Sequence, residues 1–379
     1  MLQKLCCIAT ISSTLEDFVV PAMQRLKDEG YEVTLLSSMS PSFLKKYSNT
    51  FRCVSFPFRR GMSIIDVFVM PFKLYFYFKK EGFDYVQYAT PNASFYSAIG
   101  ARLAGIPKRV YCQWGIRYVG FSGIKRKVFK SIEKLTCVLS THIRPASWKN
   151  LDYAVQEGLY LRDNATVIGD GGTVGIDLKQ FDVNKKPFLK RLVLDQYPQL
   201  RNKTVFCFVG RFNQDKGVIE LLEAFQRLSV EREDVALMLI GNIEEALPTK
   251  FERIKHNPQI VITGWTNDVP KFISVSDVLV HPSYREGFSM VIQQAMAMEI
   301  PVVTTDIPGP SEVIEPNVSG ILVKPQDVET LYDGMRWMIE HPEERLAMGQ
   351  AGRIRCEEKF NRERMVQLTF EDRIKIIYE

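Results

Sequence analysis

Three charged side chains in the second half of the sequence stand where they could do chemistry together. Arg211 and Lys216 follow the apolar segment Thr204–Val209, and Glu286 follows the apolar segment 278–280. Both segments have the length and the β-branched or aromatic content of buried parallel strands. In open α/β sheets, ligands bind at the carboxyl ends of such strands. Two cations at that edge could neutralise a diphosphate, and a carboxylate beside them could hold sugar hydroxyls.

A helix N-terminus is predicted directly after Glu286. Ser289 is a good N-cap, and residues 290–298 can form a helix. The free amide groups and the positive dipole end of a helix suit a phosphate. The alternative interpretation is an ordinary strand-loop-helix unit in which Glu286 is solvated. In that interpretation Arg211 and Lys216 are surface charges of a polar loop.

Two motifs around these residues resemble one enzyme family. The stretches GRFNQDKG at 210–217 and PSYREGFSMVIQQAMA at 282–297 resemble the carboxyl half of glycosyltransferase family 4. Its members are retaining enzymes that use nucleotide sugars and have the GT-B fold, with two Rossmann-like domains facing a central cleft. The resemblance implies that Arg211 and Lys216, in the pattern G-R-x(4)-K-G, bind the donor diphosphate and that Glu286 holds the transferred sugar. It places these further residues in the donor site: Gly210, Trp265, Gly287, Phe288, Ser289, Met290 and Val291.

The sequence departs from the family pattern at two positions. The family has a Glu-x(7)-Glu motif whose second glutamate usually accepts hydrogen bonds from the nucleotide ribose, and here that position is Gln294. Gln294 still accepts through its carbonyl, but it carries no charge, so each bond is weaker than a charge-assisted one. We interpret it as a tolerated variant of ribose binding. Many members have His-Gly near the donor sugar where this chain has Trp114-Gly115, so that histidine role is not expected here.

The length of the chain and the order of its predicted elements favour two α/β domains. A chain of 379 residues suggests two domains at roughly 150 residues each. Predicted strands and helices alternate throughout, which favours parallel sheets and agrees with the GT-B fold. We expect an acceptor-binding domain at 1–168, a nucleotide-sugar-binding domain at 169–358, and a last helix at 359–379 that returns to the first domain. The glycine-rich stretch 164–177 would be the hinge between them.

The first domain offers two candidates for contact with acceptor or phosphate. It opens with a βαβ pattern but has no GxGxxG, so no dinucleotide fingerprint is indicated. The predicted loop 11–17 precedes a helix at 18–29 and contains Ser13, which could donate a hydroxyl hydrogen bond. Arg117 follows a later strand and could meet a phosphate; the alternative is a surface arginine.

Two segments of the first domain are candidates for contact with a lipid surface. Residues 64–80 are aromatic and apolar, which fits either a core helix or a helix with one face toward lipid. Residues 122–135 carry five cations among apolar residues, which fits a basic helix on anionic lipid or a solvated face of a soluble domain. The first 165 residues have net charge +11 and the remainder −6. The basic half favours an anionic membrane or a phosphate-bearing acceptor.

Composition and residue spacing disfavour several other classes of protein. The sequence has no run of 18 apolar residues, so no membrane-spanning helix is predicted. The apolar part of MLQKLCCIAT is too short for a secretory signal. The seven cysteines and four histidines have neither disulfide-framework nor zinc-site spacing, so we expect reduced thiols in the cytoplasm. There is no Asp-x-Asp to hold a metal, so we expect a metal-independent reaction with no cofactor. No recognition motif indicates nucleic acid.

The function predicted from these observations is sugar transfer. A UDP-sugar is favoured as donor and a lipid-linked saccharide as acceptor, in polysaccharide assembly at the inner face of the cell membrane. Arg211, Lys216 and the amides near Ser289 would stabilise the leaving diphosphate, and the resemblance implies retention at the anomeric carbon. The alternatives are a catalytically silent GT-B partner protein, or an epimerase or phosphorylase on the same fold.

Overall fold

The structure, a computed structural model, describes residues 3–59, 61–244 and 256–379. The chain divides into two compact units, one made of 1–174 with 363–379 and the other of 175–362. The divisions expected from the sequence lie after residues 168 and 358. Each unit is built on a six-stranded sheet in which every neighbouring pair of strands is parallel. The predicted α/β class is therefore confirmed.

The sheet of the first unit has the strand order β3-β2-β1-β4-β5-β6. Its strands are β1 (Lys4–Ile11), β2 (Glu32–Ser38), β3 (Arg52–Ser55), β4 (Tyr85–Ala89), β5 (Lys108–Gln113) and β6 (His142–Pro145). Central strands β1 and β4 are buried along nearly their whole length, which agrees with their mainly apolar sequences. The order is that of a doubly wound sheet, whose order reverses between β1 and β4.

The sheet of the second unit repeats this order, as β12-β11-β10-β7-β8-β9. Its strands are β7 (Thr204–Val209), β8 (Val235–Ile240), β9 (Ile260–Gly264), β10 (Val278–His281), β11 (Val302–Thr305) and β12 (Gly320–Val323). The chain runs from β7 to β9 on one side, then crosses to β10 on the other side of β7. The loops after β7 and β10 therefore flank the switch point, where ligands bind in such sheets.

Helices connect the strands and cover the sheets. Those of the first unit are α1 (Ser12–Phe18), α2 (Val20–Asp28), α3 (Pro41–Tyr47), α4 (Ile64–Glu81), α5 (Pro91–Ala104), α6 (Gly123–Leu139) and α7 (Trp148–Gln156). Those described in the second unit are α8 (Lys186–Gln196), α9 (Val218–Glu231), α10 (Val269–Ile273), α11 (Met290–Ala297), α12 (Pro310–Val313), α13 (Val328–Glu340) and α14 (Pro342–Lys359). Among the described residues, no helix is both long enough and apolar enough to cross a bilayer.

The last helix, α15 (Arg362–Tyr378), packs on the first sheet. Its Ile376 shares a core with residues of β1, α1, α2 and α3, while residues of α4, α5, α6 and α7 form a separate core. Both faces of the sheet are thus covered. Buried Arg373 donates to Gln87 Oε1 at 2.6 Å, and Asp372 pairs with Arg144 of β6 at 2.7 Å. These polar contacts fix α15 to strand side chains.

The predicted helix 18–29 is present as α2 with slightly shorter bounds, but the predicted loop 11–17 is wrong. Helix α1 begins at Ser12, directly after β1, and α2 follows from Val20. Pro21 lies in the first turn of α2, where its missing N–H costs no helical bond, so it favours a helix start at that point. The short hydroxyl side chains after β1 therefore lie in a helical turn.

Candidate functional site

The loops after β7 and β10 are in backbone contact at the switch point of the second sheet. Gly217 has φ 67° and lies so close to Pro282 that a β-carbon there would overlap the Pro282 carbonyl oxygen. Glycine is required because it tolerates this φ and has no side chain. The contact brings Lys216, the neighbour of Gly217, to the loop that carries Glu286.

Lys216 and Glu286 form an ion pair in which the side chains are only 20% and 17% exposed. Burial alone would raise the pKa of Glu286. The charge of Lys216 and the hydrogen bond from His281 act in the opposite direction and hold that pKa well below its ordinary value of 4.5. Glu286 is therefore a carboxylate at neutral pH, and the two residues expected from the sequence to share a site are in contact.

His281, the last residue of β10, is a buried part of this site that sequence reasoning missed. Its Nε2 lies 3.3 Å from Glu286 Oε1 and 3.1 Å from Ser289 Oγ. Its Nδ1 lies 3.4 Å from Thr304 Oγ1 of β11. His281 thus connects the carboxylate to the N-cap of α11 and to the neighbouring strand. Its position at the end of a buried strand was the signal that could have identified it.

Arg211 follows β7 and forms an ion pair with Glu244. Its side chain is 59% exposed and pairs with Glu244 at 2.7 Å. The backbone between them is close-packed, since a β-carbon on Gly241 would overlap the carbonyl oxygen of Gly210. Exposed ion pairs contribute little stability, so an anionic ligand could replace Glu244 at small cost. Glu244 is a partner that the sequence analysis does not name.

The predicted helix after Glu286 is present as α11, and Ser289 caps it by accepting from the Ile292 N–H at 3.5 Å. A second close approach positions the loop before it, because a β-carbon on Gly309 would overlap the carbonyl oxygen of Gly287. Helix α12 follows Gly309, whose N–H donates to Glu312 Oε2 at 3.2 Å. Gly309 is thus the N-cap of α12.

Three further contacts join the residues just before Glu286 to the loop after β7 and to α9. Arg285 Nε donates to Asp215 Oδ2 at 3.1 Å, and the N–H of Tyr284 donates to the Asp215 carbonyl at 2.9 Å. The Tyr284 hydroxyl also bonds Glu220 of α9. None of these partners was named from the sequence. They fix the residues that directly precede Lys216 and Glu286 in the two loops.

The other predicted donor-site residues lie around the same strand ends. Trp265 follows β9, is 66% exposed, and donates its backbone N–H to Asn242 Oδ1 at 3.0 Å. Phe288 is different: its ring is buried against Phe360, 5.3 Å between centroids, so any part it takes in donor binding falls to its main chain. Gln294 is half-buried in the second turn of α11. Gly287 is buried, and Met290 and Val291 are half-buried.

In the first unit, both candidates lie beyond strand ends. Ser13 is exposed in the first turn of α1. Arg117 donates to Asn92 Oδ1 at 3.4 Å, and its guanidinium lies 5.0 Å from the ring centroid of Phe129. Trp114, where many family members have histidine, packs on Phe18 at 5.4 Å between ring centroids. Within the described ranges, no three His, Cys, Asp or Glu side chains group as a metal site would require.

Known proteins resemble this chain over nearly its whole length. Residues 4–144 match the family model Glycosyl transferase 4-like, and residues 194–355 match Glycosyl transferases group 1. A capsular polysaccharide biosynthesis glycosyltransferase of Staphylococcus aureus, CapM, is 26% identical over 362 residues, 95% of this chain and 93% of that protein. The UDP-Gal:alpha-D-GlcNAc-diphosphoundecaprenol alpha-1,3-galactosyltransferase of Escherichia coli is 26% identical over 324 residues, 82% of this chain and 80% of that protein.

Solved structures agree in fold. Anabaena Alr3699/HepE in complex with UDP superposes with a TM-score of 0.79 at 18% identity, covering 99% of this chain and 100% of that one. Sucrose-phosphate synthase from Thermosynechococcus elongatus superposes with a TM-score of 0.81 at 17% identity, covering 99% of each chain. At these identities the likeness concerns the fold alone.

Proposed function

Because this chain belongs to the GT-B glycosyltransferases of family 4 and to the enzymes of polysaccharide biosynthesis among them, we propose its donor, acceptor and stereochemistry. The donor is a UDP-sugar, and the acceptor is a saccharide on a polyprenyl diphosphate lipid. The sugar is transferred with retention at the anomeric carbon. The name of the Escherichia coli relative contains both a UDP-sugar and a diphosphoundecaprenol acceptor, and one structural neighbour binds UDP. Those names support the choice of substrates.

The physical problem in this reaction is charge. The diphosphate gains negative charge as the glycosidic bond breaks, while the sugar becomes positively charged. We assign stabilisation of the leaving diphosphate to Arg211, Lys216 and the N-terminal amides of α11. These are fixed hydrogen-bond donors of the kind that stabilise a developing anion. This makes the reaction independent of a metal ion, because the protein supplies the positive charge.

Glu286 has the role of holding the transferred sugar. Its pKa lies well below the ordinary value, so its negative charge faces the positive character that develops on the sugar. A carboxylate of such low pKa is a poor base. Deprotonation of the acceptor hydroxyl therefore falls to the leaving phosphate, which keeps the incoming and departing groups on one face of the sugar, as retention requires.

The remaining assignments concern the ribose, the base and the acceptor. Gln294 contacts the ribose through its amide, and Trp265 lies at the edge where the nucleotide base binds. Ser13 and Arg117 are the candidates for contact with the acceptor or its phosphate. Residues 122–135, most of helix α6, hold the enzyme at the anionic inner face of the cell membrane, where the acceptor lipid resides.

The observation that carries this proposal is the Lys216–Glu286 ion pair at the switch point, with Arg211 on the same strand end as Lys216. We would test it by transfer from UDP-, GDP- and ADP-sugars to a polyprenyl-diphosphate-linked saccharide, with the anomeric configuration of the product read by NMR. The proposal requires an α-linked product from an α-linked UDP-sugar. UDP binding without transfer or hydrolysis of any donor would favour a catalytically silent partner protein instead.

A further inference from the structure

Helix α4 exposes large apolar side chains along its outer face. Six of them form what we call the α4 face: Ile64, Ile65, Phe68, Val69, Phe72 and Phe76. Three are aromatic, with exposed fractions of 68% for Phe68, 58% for Phe72 and 67% for Phe76. The opposite side of the helix is already buried in the core through Met70 and Leu74. The exposed residues are therefore a second apolar face, of a kind that marks an interaction site in soluble proteins.

Helix α6 lies on the same face of the first sheet and also exposes apolar side chains. Helices α4 and α6 both pack on α5 and share a core on one face of the first sheet. Helix α6 exposes a stripe of apolar side chains with helical spacing: Ile124, Val128, Leu135 and Val138. Exposed lysines flank both stripes: Lys73, Lys79 and Lys80 on α4, and Lys125, Lys127 and Lys134 on α6. Apolar stripes bordered by cations are typical of helices that lie in a membrane interface.

Three carboxylates lie on α4 and α6, and none of them is fully exposed. Asp66, in the first turn of α4, is half-buried. Glu133, the one acid of α6, is buried and accepts from the Tyr111 hydroxyl at 2.8 Å and from Gln113 Nε2 at 2.7 Å. Glu81 of α4 pairs with Arg52. Arg126 and Lys130 are neutralised by Glu157 at 3.1 and 2.9 Å, but the exposed lysines above are not part of that network. The surface is thus apolar and cationic.

We propose that the α4 face inserts into the interfacial layer of an anionic lipid bilayer, with the exposed lysines of α4 and α6 bound to lipid phosphates. A second copy of the chain fits less well, because a two-fold interface would bring the same lysines together without a counter-charge. The stripe from Ile64 to Phe76 is about 18 Å long, and side chains of such helices enter a bilayer by about 5–10 Å. The inference extends the proposed membrane contact of α6 and does not depend on the donor or the reaction.

Flotation with lipid vesicles tests this directly, with no sugar present. The variant F68S/F72S/F76S removes three rings of the α4 face. The control V230S/L346S/I354S removes three apolar side chains that are equally exposed in the second unit. A phenylalanine ring that is partly buried in lipid increases the membrane partition coefficient about five-fold. Loss of three rings should therefore weaken binding to vesicles of phosphatidylcholine with phosphatidylglycerol about 100-fold. The control should bind as the unaltered chain does.

A second variant separates insertion from charge. K125Q/K127Q/K134Q should bind vesicles that contain phosphatidylglycerol more weakly than the unaltered chain does, most clearly at low salt, and should bind phosphatidylcholine vesicles unchanged. Unaltered UDP affinity in every variant would verify folding. The proposal is overturned if the phenylalanine variant floats like the control, or if the unaltered chain binds neither vesicle. Sedimentation as a dimer that this variant dissociates would assign the face to a second copy instead. Failure of sugar transfer alone would leave the flotation result unchanged.

Discussion

Replacing Lys216 with methionine removes the charge that faces Glu286 and keeps most of the side-chain volume. Breaking a fully buried ion pair costs about 3–5 kcal/mol, and an exposed pair is worth about 0–1 kcal/mol. Lys216 and Glu286 retain 20% and 17% exposure, so this pair lies between those limits. We expect Lys216→Met to lower the free energy of unfolding by about 2 kcal/mol, because it leaves a carboxylate half-compensated by His281.

The companion variant Glu286→Gln and the double variant complete a thermodynamic cycle. Removing both charges should restore at least half of the stability lost in Lys216→Met, because no unpaired carboxylate remains. Sugar transfer should nevertheless fall by about 10²- to 10³-fold in Lys216→Met, the scale for losing a charge partner of the transition state. The double variant should not recover activity, since both groups serve the substrate.

Calorimetry and urea unfolding measure the stability changes, and the loss of about 2 kcal/mol corresponds to roughly 4–8 °C in Tm for a unit of this size. Lys324→Met is the matched control, because Lys324 is an exposed lysine after β12 in the same unit. The reasoning is refuted if Lys216→Met is as stable as this control. Additive losses in the double variant would also refute it, since they would show that the two charges do not interact.

Gly309→Ala should lower the free energy of unfolding by about 1–3 kcal/mol and reduce sugar transfer. The φ of 94° at Gly309 disfavours alanine, and a β-carbon there would displace the Gly287 carbonyl. The control Gly264→Ala has a φ of 75° but open space at the β-carbon, so it should keep activity. The difference in free energy of unfolding between the unaltered chain and Glu286→Gln should be greatest at neutral pH and should shrink as the pH falls below 4.5. The reason is that the pKa of Glu286 in the folded chain lies below that value, so acid removes the charge that stabilises the fold. A difference that grows in acid contradicts the pairing. Gln294→Glu should tighten UDP binding several-fold through charge-assisted hydrogen bonds to the ribose, and weaker binding in calorimetric titration would remove residue 294 from the ribose site.

Buried strands were the elements that the sequence predicted best. Strand β7, in the middle of the second sheet, has the predicted bounds 204–209, because a short apolar run between polar turns is buried most readily inside a sheet. Edge strand β3 (Arg52–Ser55) was missed, since its residues are exposed or half-exposed and show no apolar run. Helix α3 was missed although Ser40-Pro41 is an N-cap signal, with Ser40 Oγ accepting from the Phe43 N–H at 3.2 Å.

The candidate site was predicted in outline because strand ends at a switch point are close in space whatever their separation in sequence. Lys216 and Glu286 are 70 residues apart and form an ion pair. The pairing of Arg211 with Glu244 and the contact of His281 with Glu286 could not be read from the sequence. They depend on side-chain directions and on the glycine contacts between loops, which no periodicity or motif spacing specifies.

The most direct test of the central claim is a crystal structure of this chain with UDP bound. The account predicts the diphosphate within hydrogen-bond distance of Arg211 and Lys216, beside the amide end of α11, with Arg211 released from Glu244. A diphosphate bound elsewhere, with Arg211 and Lys216 still paired to Glu244 and Glu286, would contradict it.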